Sequence, residues 1–241
     1  MASLPTARCG PSAASHTGGG NLENAGGWRT ASALLDNNSN YFVGTSGAVQ
    51  VRDYFSFDLS LIGGGQAVVG LTLQLKRFNS NAGNEATETI SFFDVSTDPV
   101  TLNTNTTVNA VIFNDLGTGN NYGALTLTGS DPGNAHAGDI LSVALNAQAL
   151  NDINTALANY LSNPITANRY FSIGGDLTSN SGDDGLLNSS NLANDPNGTR
   201  PTLVVTTRLN EAVSAPEPMT IAMFGLGLLG VAGFRRLRAR G

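Results

Sequence analysis

The sequence predicts an all-β body, an antiparallel β-sandwich of jelly-roll type with one inserted helix, followed by a single transmembrane helix at the C-terminal end. Three observations carry this prediction. Short β-branched and aromatic segments recur along the body, several with a strict two-residue period. Gly/Asn/Asp/Pro turns separate them at short intervals. Only one segment has helical spacing, so the alternating βα pattern of a parallel sheet is missing.

The elements follow from about Gly18 onward. Tyr54–Leu59 is an aromatic run of strand length. The triple glycine Gly63-Gly64-Gly65 breaks it from Val69-Gly-Leu71-Thr-Leu73-Gln-Leu75, whose alternation predicts a half-buried strand. Ile90–Val95 and Val108–Phe113 read as further strands, with Asp98-Pro99 as a turn between them. Leu125-Thr-Leu127 and Leu141–Leu145 repeat the two-residue period on either side of Asp131-Pro132-Gly133. Leu150, Ile153, Leu157 and Leu161 then fall at helical spacing; Asn146 caps the start and Asn163-Pro164 ends the helix. Tyr170–Ile173 and Thr202–Thr206 are the last strand runs. The expected organisation is a disordered leader or truncated signal region at 1–17 and a sandwich at 18–209. A linker at 210–218, a transmembrane helix at 219–234 and a basic cytoplasmic tail at 235–241 complete it.

Composition narrows the function. A body of this size buries a core without disulfides, and Cys9 is the only cysteine. Residues 1–215 carry 8 basic and 17 acidic groups, net −9, whereas residues 216–241 carry 4 and 1, net +3. An acidic body with one lysine, Lys76, excludes nucleic acid as a partner, because that affinity comes from Lys and Arg on phosphates. It also disfavours direct binding of strongly anionic polymers.

The C-terminal end reads as a signal. Pro216-Glu217-Pro218 precedes an apolar run from Met219 to Phe234, and Arg235, Arg236, Arg238 and Arg240 follow. Sixteen residues make a helix of roughly 24 Å, short of the roughly 30 Å hydrocarbon core, and snorkelling arginines cover the difference. Gly225, Gly227, Gly230 and Gly233 weaken that helix. Arginines after the span stay cytoplasmic and place the body on the far side. Gly225–Gly230 matches G-x-G-x-x-G by accident, since the eleven residues after it cannot complete a βαβ unit.

This tail resembles the PEP-CTERM signal of exported bacterial proteins. The resemblance implies processing by an exosortase-type transpeptidase at the inner membrane of a Gram-negative bacterium, then a place at the cell surface or in the extracellular matrix. It implies Pro216, Glu217, Pro218, Arg235, Arg236 and Arg238 as the sorting signal, with cleavage near Pro216–Pro218, and exopolysaccharide as a companion. It also calls for a secretory leader, and Met1–Pro11 lacks the apolar stretch of one, so the expectation is a start that is misassigned or truncated. The body is similar to DNRLRE-type sandwich modules in Arg52–Leu59 with the Val69–Leu75 strand, and in the closing Gly198–Val205 with its Arg200-Pro201. The signature of those modules itself is missing, so no ligand carries over.

Candidate chemistry is sparse. His16 and His136 sit in Gly/Ser- and turn-rich contexts without a nucleophile motif, and neither G-x-S-x-G nor H-E-x-x-H occurs. Most carboxylates stand in turns, where aspartate caps its own backbone. Asp176–Asp184 is the densest cluster of oxygen ligands; calcium would be its metal, although no cofactor is required. Trp28, the only tryptophan, is either a core plug or part of a sugar-stacking strip. The expected function is therefore non-catalytic, in an exported surface or matrix protein. A carbohydrate-binding module and a polysaccharide-active hydrolase are the alternatives.

Overall fold

Alternating side chains let one face of a strand enter a core while the other meets solvent or a further layer. The structure, a computed structural model, describes residues 12–17, 28–29, 41–46, 49–77, 79–82, 87–104, 109–128, 139–165, 168–178, 184–188 and 201–210. These form β1 (Ser12–Thr17), β2 (Trp28–Arg29), β3 (Tyr41–Ser46), β4 (Val49–Asp58), β5 (Gln66–Lys76), β6 (Asn79–Ala82) and β7 (Thr87–Asp94). After them come α1 (Pro99–Thr104), α2 (Ala110–Asp115), β8 (Asn121–Thr128), β9 (Ile140–Ala144), α3 (Ala147–Ser162), β10 (Tyr170–Leu177), β11 (Asp184–Asn188) and β12 (Thr202–Leu209). The chain divides into two units, Met1–Arg208 and Leu209–Gly241.

Two antiparallel sheets make the body. One has the order β1-β12-β5-β9; the other has the order β6-β11-β3-β4-β10-β7-β8, with β2 beside β4. The inner faces meet in one core, in which Phe55, Phe92, Ile90 and Ile173 from the larger sheet pack with Leu73, Leu75, Val143 and Leu203 from the smaller. Each such side chain contributes about 1.5–3 kcal/mol by leaving water. Tyr41 and Phe55 meet edge-on at 5.9 Å, and Phe55 lies 6.4 Å from Phe92.

α3 lies against this core as its spacing predicts. Asn146 accepts from the backbone N–H of Gln148 and Ala149, and Ala149, Ile153 and Leu157 are buried. Asn154 ties the helix to β5, accepting from Val68 N–H and donating to the Val68 carbonyl at 2.9 Å each. Leu161, the last residue of the predicted stripe, is exposed.

Four features differ from the sequence reading. The run at Val108–Phe113, expected as a strand, contains α2: Asn109 accepts from Val111 and Ile112 N–H and starts a helix there. Asp98-Pro99, expected as a turn, opens α1, with Asp98 accepting from Val100 and Thr101 N–H. Proline at the first helical position loses no hydrogen bond, which explains the placement. The described chain thus has three α-helices rather than one. Ser12–Thr17, assigned to the leader, form β1 and pair with β12 from Ser12↔Thr207 to Thr17↔Thr202. In β5, Leu71, Leu73 and Leu75 point inward as expected, but Val69 is 41% exposed and Val68 is buried in its stead.

The outer face of the larger sheet holds a second, smaller core. Its register pairs Tyr54 with Gly174 and Ser56 with Ser172, on the side opposite to Phe55 and Ile173. α1 and α2 cover it with Leu102, Ile112, Phe113 and Leu116, which pack on Tyr54. Gly174 allows the approach: a Cβ there would strike the Leu116 carbonyl. Arg52 pins the segment in place. Its guanidinium pairs with Asp176 at 2.8 Å, donates to the Phe113 carbonyl at 3.0 Å and lies over the Phe113 ring.

Candidate functional site

The end of β7, the starts of β8 and β10, α1 and α3 converge on one open cleft of ≈ 360 Å³. Asp94 to Pro99 form one wall, Asp152 and Ala156 of α3 another, and Tyr170 to Ser172 the floor, with Tyr122 and Asn168 between them. Each polar group there is held by a specific neighbour. Asp94 accepts from the Asn120 N–H at 2.8 Å and from its side-chain amide at 3.0 Å. Asp98 caps α1 and accepts from Asn168 at 3.4 Å. Asp152 accepts from the Tyr122 hydroxyl at 2.9 Å and from Gln148. Ser172 shares a hydrogen bond with Ser56 at 2.7 Å.

The aromatic side chains beneath the cleft are ordered as well, and Tyr122 and Phe171 are buried in the main core. Tyr122 and Phe171 stack with centroids 6.0 Å apart, and the Arg169 guanidinium lies 4.9 Å from the Tyr170 ring centre. Burial drives the Tyr122 hydroxyl well above the usual phenol range, assisted by its hydrogen bond to Asp152 and by the charges of Asp152 and Asp94. The phenol therefore stays protonated and acts as a donor. Behind the wall, Asp115 accepts from the backbone and hydroxyls of Ser96 and Thr97, both hydroxyls at 2.6 Å. Burial pushes its carboxyl up, but those four bonds outweigh it and hold the group below the usual range.

The residues singled out in the sequence fall elsewhere. Asp176 lies in β10 and is buried; it accepts from Arg52 and from Gln50 at 2.6 Å. Asp184 opens β11 opposite Ala82, and residues 179–183 between them lie outside the described residues. Among the described residues no group of three or more His, Cys, Asp or Glu is placed to hold a metal. Trp28 pairs with Arg52 across β2 and β4, and His16 with Leu203 across β1 and β12. Cys9 and His136 lie outside the described residues.

Sequence reasoning missed the cleft, because four separate stretches of the chain build it. One signal was available. Asp98-Pro99 has the cap-then-proline order of a helix start, which would have placed a carboxylate at the mouth of α1.

The predicted transmembrane helix and the whole sorting signal also lie outside the described residues. No helix among the described residues is long and apolar enough to cross a membrane. Residues 214–236 match the PEP-CTERM protein-sorting motif, a span containing Pro216, Glu217, Pro218, Arg235 and Arg236, with Arg238 just beyond it. No curated protein matches the chain. The chain thus carries, after an antiparallel β-sandwich, the PEP-CTERM signal of an exported protein that an exosortase-type enzyme processes at the membrane.

Proposed function

We propose that this is a non-catalytic envelope protein of a Gram-negative bacterium, sorted through its tail and then released or attached in an exopolysaccharide-rich surface matrix. The PEP-CTERM motif at residues 214–236 is the observation that carries this reading. The tail holds the chain at the inner membrane, its arginines on the cytoplasmic side, until cleavage near Pro216–Pro218. A non-catalytic body agrees with the use of its carboxylates: Asp94, Asp98, Asp115 and Asp152 each organise a turn, a helix start or a neighbouring side chain. Intact masses of the membrane-bound and released forms test the sorting step. The expected difference is the mass of the residues after the cleavage point. Full-length protein persisting in cells that possess the processing enzyme would overturn it. Polysaccharide turnover abolished by a single Asp or Glu substitution would overturn the non-catalytic role.

A second reading, a glycan-binding module, is favoured by the cleft. Its volume lies within the usual range for small-ligand sites, and it combines the partly exposed Tyr170 with hydrogen-bond acceptors. The two readings are compatible, since a matrix protein that binds its polysaccharide stays in the matrix.

A further inference from the structure

We propose that the end of the sandwich bearing Leu61, Leu161 and Ile165 rests on the lipid surface of the bilayer that holds the tail. The proposal rests on the membrane-held stage of the sorting reading above. Separate stretches of the chain meet at this end. β4 finishes at Asp58 opposite Tyr170, and a one-turn 3₁₀ helix, Leu59–Leu61, follows it. The Leu59 N–H donates to the Arg169 carbonyl at 2.8 Å, while Ile62 turns back into the main core. The last turn of α3 is close by. The Arg169 guanidinium, held above its usual range by a hydrogen bond to Tyr170 and then by Asp58, feels the Tyr160 hydroxyl as well. Three apolar side chains stand out from these segments: Ile165 is 93% exposed, Leu61 59% and Leu161 42%. β12 leaves the body at the same end, because Gly70 lies against Thr206 and the residues after Thr206 run antiparallel beside the start of β5.

Charge and chain length select the occupant. Residues 59–75 and 153–168 contain no charged side chain, whereas residues 1–215 as a whole are net −9. The charges bordering this end are engaged or positive. Arg169 pairs with Asp58 at 3.1 Å, Asp98 beside Asn168 caps α1, and Arg208 is exposed. An anionic leaflet repels a body of net negative charge, so the uncharged end approaches it at least cost. Nine residues, 210–218, separate the end of β12 from the apolar run that starts at Met219. Fully extended they span about 30 Å, so the exit end stays near the bilayer whatever path they take. Three side chains offer far less than the roughly 800 Å² per partner of a stable protein interface, but a fluid lipid surface needs no matching shape. Alone they hold weakly. A short tether raises the effective concentration to about millimolar, which populates the contact before cleavage and lets it go afterwards.

The test uses the full chain in vesicles of phosphatidylethanolamine and phosphatidylglycerol, with nitroxide on some of the acyl chains. Flotation with the vesicles first reports whether the tail holds the chain in lipid. In a Cys9→Ser background, an environment-sensitive fluorophore is attached at Ile165→Cys. A second protein carries it at Ile140→Cys, which is 54% exposed and pairs with Lys76 at the far end of β5. The label at 165 is expected to emit to the blue and to be quenched by the nitroxide, whereas the label at 140 emits as in water. Adding Leu61→Ser and Leu161→Ser, at exposed positions that cost the fold little, should lower the ratio of resting to free body about tenfold. A chain that floats while both labels stay in water, or while both are quenched alike, overturns the contact and leaves the sorting reading standing. Shielding at 165 that grows with protein density and ignores the nitroxide means that a second copy covers this end, which also overturns it. A chain that does not float removes the membrane-held stage and the contact together.

Discussion

The two hydrophobic cores of this protein bury the same kinds of side chain but are held by different means. Between the sheets, Phe55, Phe92, Ile173 and Leu73 are enclosed by long strands on both sides, so packing alone fixes them. On the outer face, Tyr54, Leu102, Ile112, Phe113 and Leu116 are covered by two helices of 6 residues each. Helices that short are unstable alone, because one or two turns do not offset the cost of nucleation. Polar clasps compensate: Arg52 with Asp176, Asp115 with Ser96 and Thr97, and the caps from Asp98 and Asn109. The same α1 segment forms a wall of the cleft. The less autonomous core is thus the one beside the candidate binding site, where a loop-borne site needs a fixed support.

The largest predicted effect is in the main core. Phe92→Ala, at a fully buried position between the sheets, should cost about 3–5 kcal/mol and lower the denaturation midpoint seen by every probe. Arg52→Met should cost less, about 3 kcal/mol, by leaving the buried Asp176 carboxylate without its cation. Its effect should also be local. Amide exchange is expected to quicken first across α1 and α2, while β4, β7 and β10 keep their protection. Uniform loss of protection in both variants would show that the two cores unfold as one unit.

Acidification separates the clasps by sign. Asp115 is held below the usual carboxylate range, so the unfolded chain binds its proton more readily. Its contribution is full above that range and is lost as pH falls through the folded value. Asp176 has the opposite sign: burial raises its carboxyl in spite of the hydrogen bond and charge of Arg52 and the bond from Gln50. Its ionisation therefore weakens the fold as pH rises from the ordinary range through the raised value. Asp115→Asn should cost about 1 kcal/mol at neutral pH and much less in acid, whereas Asp176→Asn should make stability less sensitive to rising pH just above the usual carboxylate range. Parallel pH profiles for the two variants would contradict the assignment of sign.

The legible parts of this fold are those where one local rule governs the outcome. α3 was readable because Asn146, its leucine spacing and Asn163-Pro164 all agree. Leu71, Leu73 and Leu75 were readable from alternation, and the sorting tail from order alone. α2 was hidden because Val108–Phe113 is rich in residues that suit strands, and only the Asn109 cap, together with the outer face of the sheet, makes it helical. The cleft was hidden for a different reason. Its carboxylates look like ordinary turn residues, and they do serve as such; what brings them together is the antiparallel pairing of β7 with β8 and β10.

The smallest predicted effect tests the point where alternation fails. Extending the Leu75-Leu73-Leu71 phase backward would put Val69 in the main core, yet Val69 faces out and Val68 faces in. Gly70 lies at the change of phase, and a Cβ there would press on Thr206 of the neighbouring β12 at 3.3 Å. A residue without a side chain lets the backbone turn over at that point. Val69→Thr should then change stability by less than about 0.5 kcal/mol, as for most surface positions. Val68→Thr should cost about 1–3 kcal/mol, because it buries a hydroxyl where the strand meets α3. Chemical denaturation of the two single variants measures the difference directly. If Val69→Thr proved the costlier, the strand would keep a single phase to its start, and the contact of β5 with α3 through Asn154 would have to be built from the opposite face.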